Sequence, residues 1–175
     1  MTLITTNTSS NAASSSFTSS IDSTYKLYIF KFYDVNPATD EVIFQFQVNA
    51  TDGADYNDSP IQSTYFKSKH TEADADEFGY HTSHDAANST SFIDLIKELG
   101  NGGDEAMVGV FHLFNPSSTT YVKHWNCRTQ QNSMEDASQE IHTAGYINDT
   151  TAIDDIQFKM SSGNMDAVIK MYGVG

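Results

Sequence analysis

From Tyr25 onward, hydrophobic and polar positions follow a strand-like pattern. The run Tyr25-Lys26-Leu27-Tyr28-Ile29-Phe30-Lys31-Phe32-Tyr33 is dense in aromatic and β-branched side chains, which predicts a strand covered on both faces. Asn36-Pro37-Ala38-Thr39-Asp40 then supplies a turn, because proline fixes one dihedral while Asn and Asp bond to nearby backbone. In the next segment Phe44, Phe46 and Val48 point one way and Gln45, Gln47 and Asn49 the other. A period of two over this length is a half-buried strand, and both segments are expected in a sheet with one wet face. Further strands are predicted at 63–69, 107–114, 121–129, 141–147, 153–160 and 167–174. Ser161-Ser162-Gly163-Asn164 lies between two such runs with the chemistry of a tight hairpin. Eight or nine strands with turns between them predict an all-β fold, an antiparallel β-sandwich or jelly roll.

One short helix is expected within it. Ser89 or Thr90 can cap it, Phe92, Leu95, Ile96 and Leu99 form one stripe, and Gly100 can end it in a left-handed turn. The polar stretches 51–63 and 71–89 read as loops.

Residues 1–24 differ in composition from the domain at 25–175. Their Ser/Thr/Asn-rich centre has almost nothing to bury and cannot offset its own ordering entropy alone. Leu3, Ile4, Phe17 and Ile21 flank that centre. Apolar anchors around a polar spacer suit an arm that docks onto a partner; the plainer alternative is a first edge strand followed by a loose linker.

Composition narrows the functional classes. The chain has 175 residues and a single cysteine, Cys127, so it is long enough to hide roughly 70% of its unfolded surface and has no intramolecular disulfide. Nine basic residues against 23 acidic ones give a net charge of −14. Such a surface is repelled by a phosphate backbone and by an anionic bilayer, so neither nucleic acid nor membrane is expected as a partner. No apolar run approaches the roughly 20 residues of a membrane helix. The N-terminal stretch lacks the basic-then-apolar pattern of a secretory signal, so export by that route is not expected.

Candidate chemistry is sparse. His81, His84 and Asp85 could supply three metal ligands, but they lie in a polar loop where solvated histidines are the ordinary outcome. Asp52-Gly53-Ala54-Asp55 with Asn57 and Asp58 resembles a calcium loop in its clustered oxygens while lacking EF-hand spacing and its closing Glu. His124 and Cys127 are neighbours, yet strand alternation sends them to opposite faces, so a nucleophile pair is not expected and the thiol reads as buried. The same parity separates Asp154 from Asp155. Neither a nucleophile-elbow motif nor a phosphate-binding glycine loop occurs. The Asn-x-Ser/Thr sequons at Asn7, Asn49, Asn57, Asn88 and Asn148 read as products of a Ser/Thr/Asn-rich composition. Tyr121, Trp125 and the other aromatics could form a sugar-stacking face or fill the interior, and the interior is the commoner fate. No enzymatic activity and no cofactor are expected.

The stretch Ala144-Gly145-Tyr146-Ile147-Asn148-Asp149-Thr150-Thr151-Ala152-Ile153-Asp154-Asp155-Ile156-Gln157-Phe158-Lys159-Met160-Ser161-Ser162-Gly163-Asn164, with the ending Ile169-Lys170-Met171-Tyr172-Gly173-Val174, resembles the close of small β-sandwich virion structural proteins of tailed bacteriophages, marine ones especially. Residues 17–25 and the turn at 36–40 are similar to theirs as well. Val168 departs from the pattern, where a glycine is more typical. The resemblance implies a non-enzymatic surface protein of a virion, often oligomeric, with a trimer the expected form by analogy. Two roles are expected to compete, the first favoured because the chain reads as one domain with a short polar arm and no coiled-coil or fibre segment. One is a capsid-decoration or accessory head protein that docks on the major capsid or another virion protein through Leu3, Ile4, Phe17 and Ile21 of the arm. The other is a tail-tip adhesin that binds a host-surface glycan.

Overall fold

The computed structural model describes residues 1–50, 55–57 and 59–175. Among these residues there are twelve strands and no helix: β1 (Thr2–Ala12), β2 (Ser15–Phe17), β3 (Leu27–Pro37), β4 (Val42–Ala50), β5 (Ile61–Thr71), β6 (Asp76–Tyr80), β7 (Ile93–Leu99), β8 (Met107–Phe114), β9 (Lys123–Ser133), β10 (Ala137–Ile147), β11 (Ile153–Met160) and β12 (Met165–Val174). They form an antiparallel β-sandwich. One sheet has eight strands in the order β1-β12-β3-β8-β9-β10-β5-β6, and the other has four in the order β2-β11-β4-β7.

Aromatic side chains from both sheets fill the space between them. Phe30, Phe32 and Phe111 descend from the large sheet, and Phe44, Phe46 and Phe158 rise from the small one, all buried. The Phe158 ring lies 5.1 Å from that of Phe32, 5.5 Å from Phe30 and 5.9 Å from Phe44 and Phe111. Trp125 closes this layer against Phe46 and Phe111 at 4.7 and 5.5 Å. Ten of the chain's 21 aromatic residues are buried in this interior.

Four expectations need correction. Residues 93–99 form strand β7, not a helix. Beside β4 the register shifts between Val42 and Phe44 and again between Phe44 and Gln45, and Glu98 adopts a positive φ of 61°. Bulges of this kind bring consecutive residues to one side of a strand, so Leu95 and Ile96 are buried together with Ile93 and Leu99. An irregular strand thus reproduces a helical spacing. Second, residues 161–164 do not close a hairpin: β11 pairs with β2 and β4, whereas β12 pairs with β1 and β3. The segment is a corner between sheets, where Gly163 takes φ +71° and a Cβ would stand 2.1 Å from Thr39 Oγ1.

Third, β3 and β4 lie in different sheets, and the polar side of β4 is covered. Gln47 and Asn49 are buried; the Gln47 amide donates to the carbonyls of Ser59, Thr90 and Ser91 at 3.3, 3.1 and 3.1 Å, pinning two loops over the small sheet. The outward side of β3 is conversely open, with Tyr33 exposed. Fourth, the 71–89 stretch contains strand β6, paired with β5 from Phe66↔Tyr80 to His70↔Asp76.

The N-terminal 24 residues join both sheets. β1 pairs with β12 from Thr2↔Gly173 to Ala12↔Met165, which supplies backbone partners to a sequence with little to bury. The chain then crosses to the small sheet, where β2 pairs with β11. Phe17 and Ile21 are 3% exposed within this chain's own core; the Phe17 ring is 5.2 Å from Phe30. Ile4 packs at the core margin and Leu3 is half exposed at the sheet edge.

Candidate binding face

The eight-stranded sheet has one face on the core and the other in solvent. Strand alternation sends Lys31 and Tyr33 of β3, Val108, Val110 and His112 of β8, Arg128 and Gln130 of β9, and Glu140 and His142 of β10 outward, in accord with their partial or full exposure. Pairing registers align them into rows across the strands. The central row runs Lys170↔Lys31, Lys31↔Val110, Val110↔Arg128 and Arg128↔His142. It continues to Phe66 and Tyr80 at the far edge.

The charge on these rows is opposite to that of the chain. Flanking the central row are Val168, Tyr33, Val108, Gln130 and Glu140 on one side, and Tyr172, Ile29, His112, Asn126 and Ala144 on the other. Lys31, Lys170 and Arg128 share these rows with one carboxylate, Glu140, while Asp34 at the β3 bulge and Asp166 on β12 lie exposed beside them, in a protein of net charge −14. Glu140 chelates Arg128 through Nε at 2.5 Å and Nη2 at 3.0 Å, and also meets His142 Nε2 at 2.5 Å. The Arg128 hydrogen bonds, with a smaller contribution from His142, hold the Glu140 carboxyl below the usual carboxylate range. Lys31 and Lys170 are direct cross-strand neighbours, an arrangement that repels. Each rests over a tyrosine ring, Lys31 5.3 Å from the centre of Tyr172 and Lys170 5.2 Å from that of Tyr33.

Between these groups lies a groove of about 690 Å³, bounded by Lys31, Tyr33, Val108, Val110, His112 and Arg128 among others. His112 Nδ1 is enclosed there with no hydrogen-bond partner among the described residues. At the sheet's far edge Phe66, Phe78 and Tyr80 are exposed; the Phe66 and Tyr80 rings meet edge-on at 5.2 Å. The Tyr80 hydroxyl donates to Asp85 at 2.5 Å, which raises the tyrosine's pKa.

The residues singled out by sequence are dispersed. His81 pairs with Glu77 at 2.9 Å, His84 with Asp94 at 2.7 Å, and Asp85 with Tyr80. No group of three or more ligating residues that could hold a metal occurs among the described residues. Of the calcium-like loop, Asp52, Gly53, Ala54 and Asp58 lie outside the described residues. Cys127 is buried and burial pushes its thiol pKa up, while His124 is exposed on the opposite face of β9. Trp125 is buried and Tyr121 exposed. Of the four docking candidates, Phe17 and Ile21 lie in the core, Ile4 at its margin and Leu3 on the edge strand.

A second polar cluster closes the end of the sandwich under β5 and β6. Lys67, only 3% exposed, bridges Glu77 at 2.7 Å and Glu98 at 3.6 Å, while Lys97 reaches Glu98 at 2.8 Å. The Lys67 hydrogen bond holds the Glu77 carboxyl below its ordinary pKa, and burial, aided by the nearby Lys67 charge, lowers that of His81. Gln131 and Gln139 donate to the Lys97 carbonyl at 2.7 and 3.0 Å. These bonds fasten β7 of the small sheet to β5, β9 and β10 of the large one.

No protein-family model matches the chain, and no curated protein matches it.

Proposed function

We propose that this chain is a non-enzymatic surface protein of a tailed-phage virion, and that it works as a binding module through the solvent face of its eight-stranded sheet. The resemblance of residues 144–164 and 169–174 to phage virion proteins supports the setting. The observation that carries the binding role is a basic patch in the middle of that face: Lys31, Lys170 and Arg128 gathered beside exposed Tyr33 and Val108 in a protein of net charge −14, with Asp34, Asp166 and Asp76 exposed around it. The exposed aromatics beside the 71–89 segment, Phe66, Phe78 and Tyr80, agree with an adhesin's need for accessible rings.

The second reading, a capsid-decoration or accessory head protein, rests on another feature. β1 lies at the end of its sheet and pairs on one side only, so its outer edge can accept a strand from a neighbouring subunit or a major capsid protein. Leu3 sits on that edge, whereas Phe17 and Ile21 serve the fold. Oligomerisation, including the trimer expected by analogy, would use the same edge.

Cryo-electron microscopy of the particle encoding the chain separates these readings. The binding role predicts external density with Lys31, Lys170 and Arg128 turned away from the particle. Density with that face pressed on capsid neighbours would support decoration instead, and absence from the particle would overturn the virion assignment.

A further inference from the structure

The groove between β3, β8 and β9 has the makings of a ligand site of defined chemistry. Lys31 and Arg128 occupy the same transverse row with Val110 between them. That is two strand spacings, about 10 Å, which places a positive group on each side of a space one to two sugar rings wide. Its volume of about 690 Å³ lies within the range of roughly 300–1,000 Å³ for small-molecule sites. Tyr33 and Val108, 37% and 41% exposed, give the groove an apolar wall. Glu140 engages Nε and Nη2 of Arg128; a guanidinium has five N–H donors in all, so others remain for a ligand. Lys31 lines the groove, and its cross-strand neighbour Lys170 stands beside it over the Tyr33 ring, so a second positive group flanks the same end.

We infer that this groove binds an acidic saccharide, one whose carboxylate lies near Lys31 and Lys170 and whose apolar ring face lies on Tyr33 and Val108. The inference rests on the binding role proposed for this sheet face and specifies its ligand class. A neutral sugar would leave the two lysines unneutralised. An acidic peptide would meet the charge but has no flat ring face to lay on the apolar wall.

The test is a binding titration of the intact protein at low and high salt with four probes: trigalacturonic acid, its methyl ester, a sialylated trisaccharide and hexaglutamate. The charged saccharides are expected to bind at least tenfold more tightly than the ester. That advantage should shrink as salt screens the charges, and Lys31→Gln with Lys170→Gln should abolish it. Tyr33→Ala should weaken every saccharide, which separates loss of the ring contact from loss of charge. Equal binding of ester and acid would overturn the acidic-ligand inference while leaving a glycan-binding face in place. Hexaglutamate binding as tightly as the acidic saccharides would assign the groove to an acidic protein segment. Binding of no probe would overturn both this inference and the adhesin reading.

Discussion

Replacing Phe17 by alanine separates an N-terminal segment built into the sandwich from one held in reserve for a partner. Phe17 is 3% exposed, and its ring packs edge-on against Phe30 at 5.2 Å and Phe158 at 6.3 Å. Truncating a buried phenylalanine removes its transfer free energy and leaves a cavity, together about 3–5 kcal/mol. The two ring contacts are part of that figure, since each edge-to-face pair is worth about 0.5–1.5 kcal/mol beyond area. For a domain of this length 1 kcal/mol moves Tm by roughly 2–4 °C, so the expected fall is about 6–20 °C. Thermal melting followed by near-ultraviolet circular dichroism, with urea unfolding at constant m, reads it directly. A fall of less than about 2 °C, the scale of a surface change, would show that residues 15–17 are not in the core and would return the segment to the role of a free docking arm. Deleting residues 1–24 should be still more damaging, because it strips the partner strand from β12 and from one side of β11.

Further outcomes follow from buried polar groups. Lys123 is fully buried at the start of β9, where its ammonium donates to the carbonyls of Asp149, at 2.9 Å, and Thr151. Lys123→Met should therefore cost about 1–3 kcal/mol in urea unfolding, and a gain in stability would mean that burying the charge outweighs those bonds. Glu77 and His81 both have lowered pKa values in the fold. Each therefore contributes stability that is present above its unfolded pKa, about 4.3 for Glu and 6.5 for His, and lost as pH falls through the folded value. Denaturation midpoints should decline as pH falls from 7 towards 4, less steeply at the acid end for Glu77→Gln; an unchanged slope would remove Glu77 from the linkage. The Cys127 thiol, enclosed between the sheets with its pKa pushed up by burial, should react with Ellman's reagent only when the protein unfolds; rapid reaction of the native protein would contradict its placement.

The strands were legible where polar and apolar positions alternate over most of their length. Segments 107–114 and 153–160 coincide with β8 and β11, and the parity that separates His124 from Cys127 holds along all of β9. Alternation failed where tertiary contacts altered it. Bulges beside β4 gave β7 a helical spacing of apolar residues, and loop carbonyls covered Gln47 on the side that reads as wet. Strand partners were not legible either, since β1 pairs with β12 at the opposite end of the chain. For that reason a Ser/Thr-rich segment looked unable to order itself, and a turn joining two sheets looked like a hairpin. The candidate binding face was hidden for the same reason: Lys31, Arg128 and Lys170 come from three strands far apart in sequence and become a patch only once β12, β3, β8 and β9 are set side by side.

The central claim is that the solvent face of the eight-stranded sheet is the protein's working surface. Under the proposed virion role, particles carrying Lys31→Glu and Lys170→Glu test it through their rate of adsorption to the cells they infect, measured beside wild-type particles of equal protein content. Both changes lie on the sheet's surface, so assembly and thermal stability should be unchanged, while adsorption should fall at least tenfold. Adsorption at the wild-type rate, with the variant chain incorporated normally, would contradict the account.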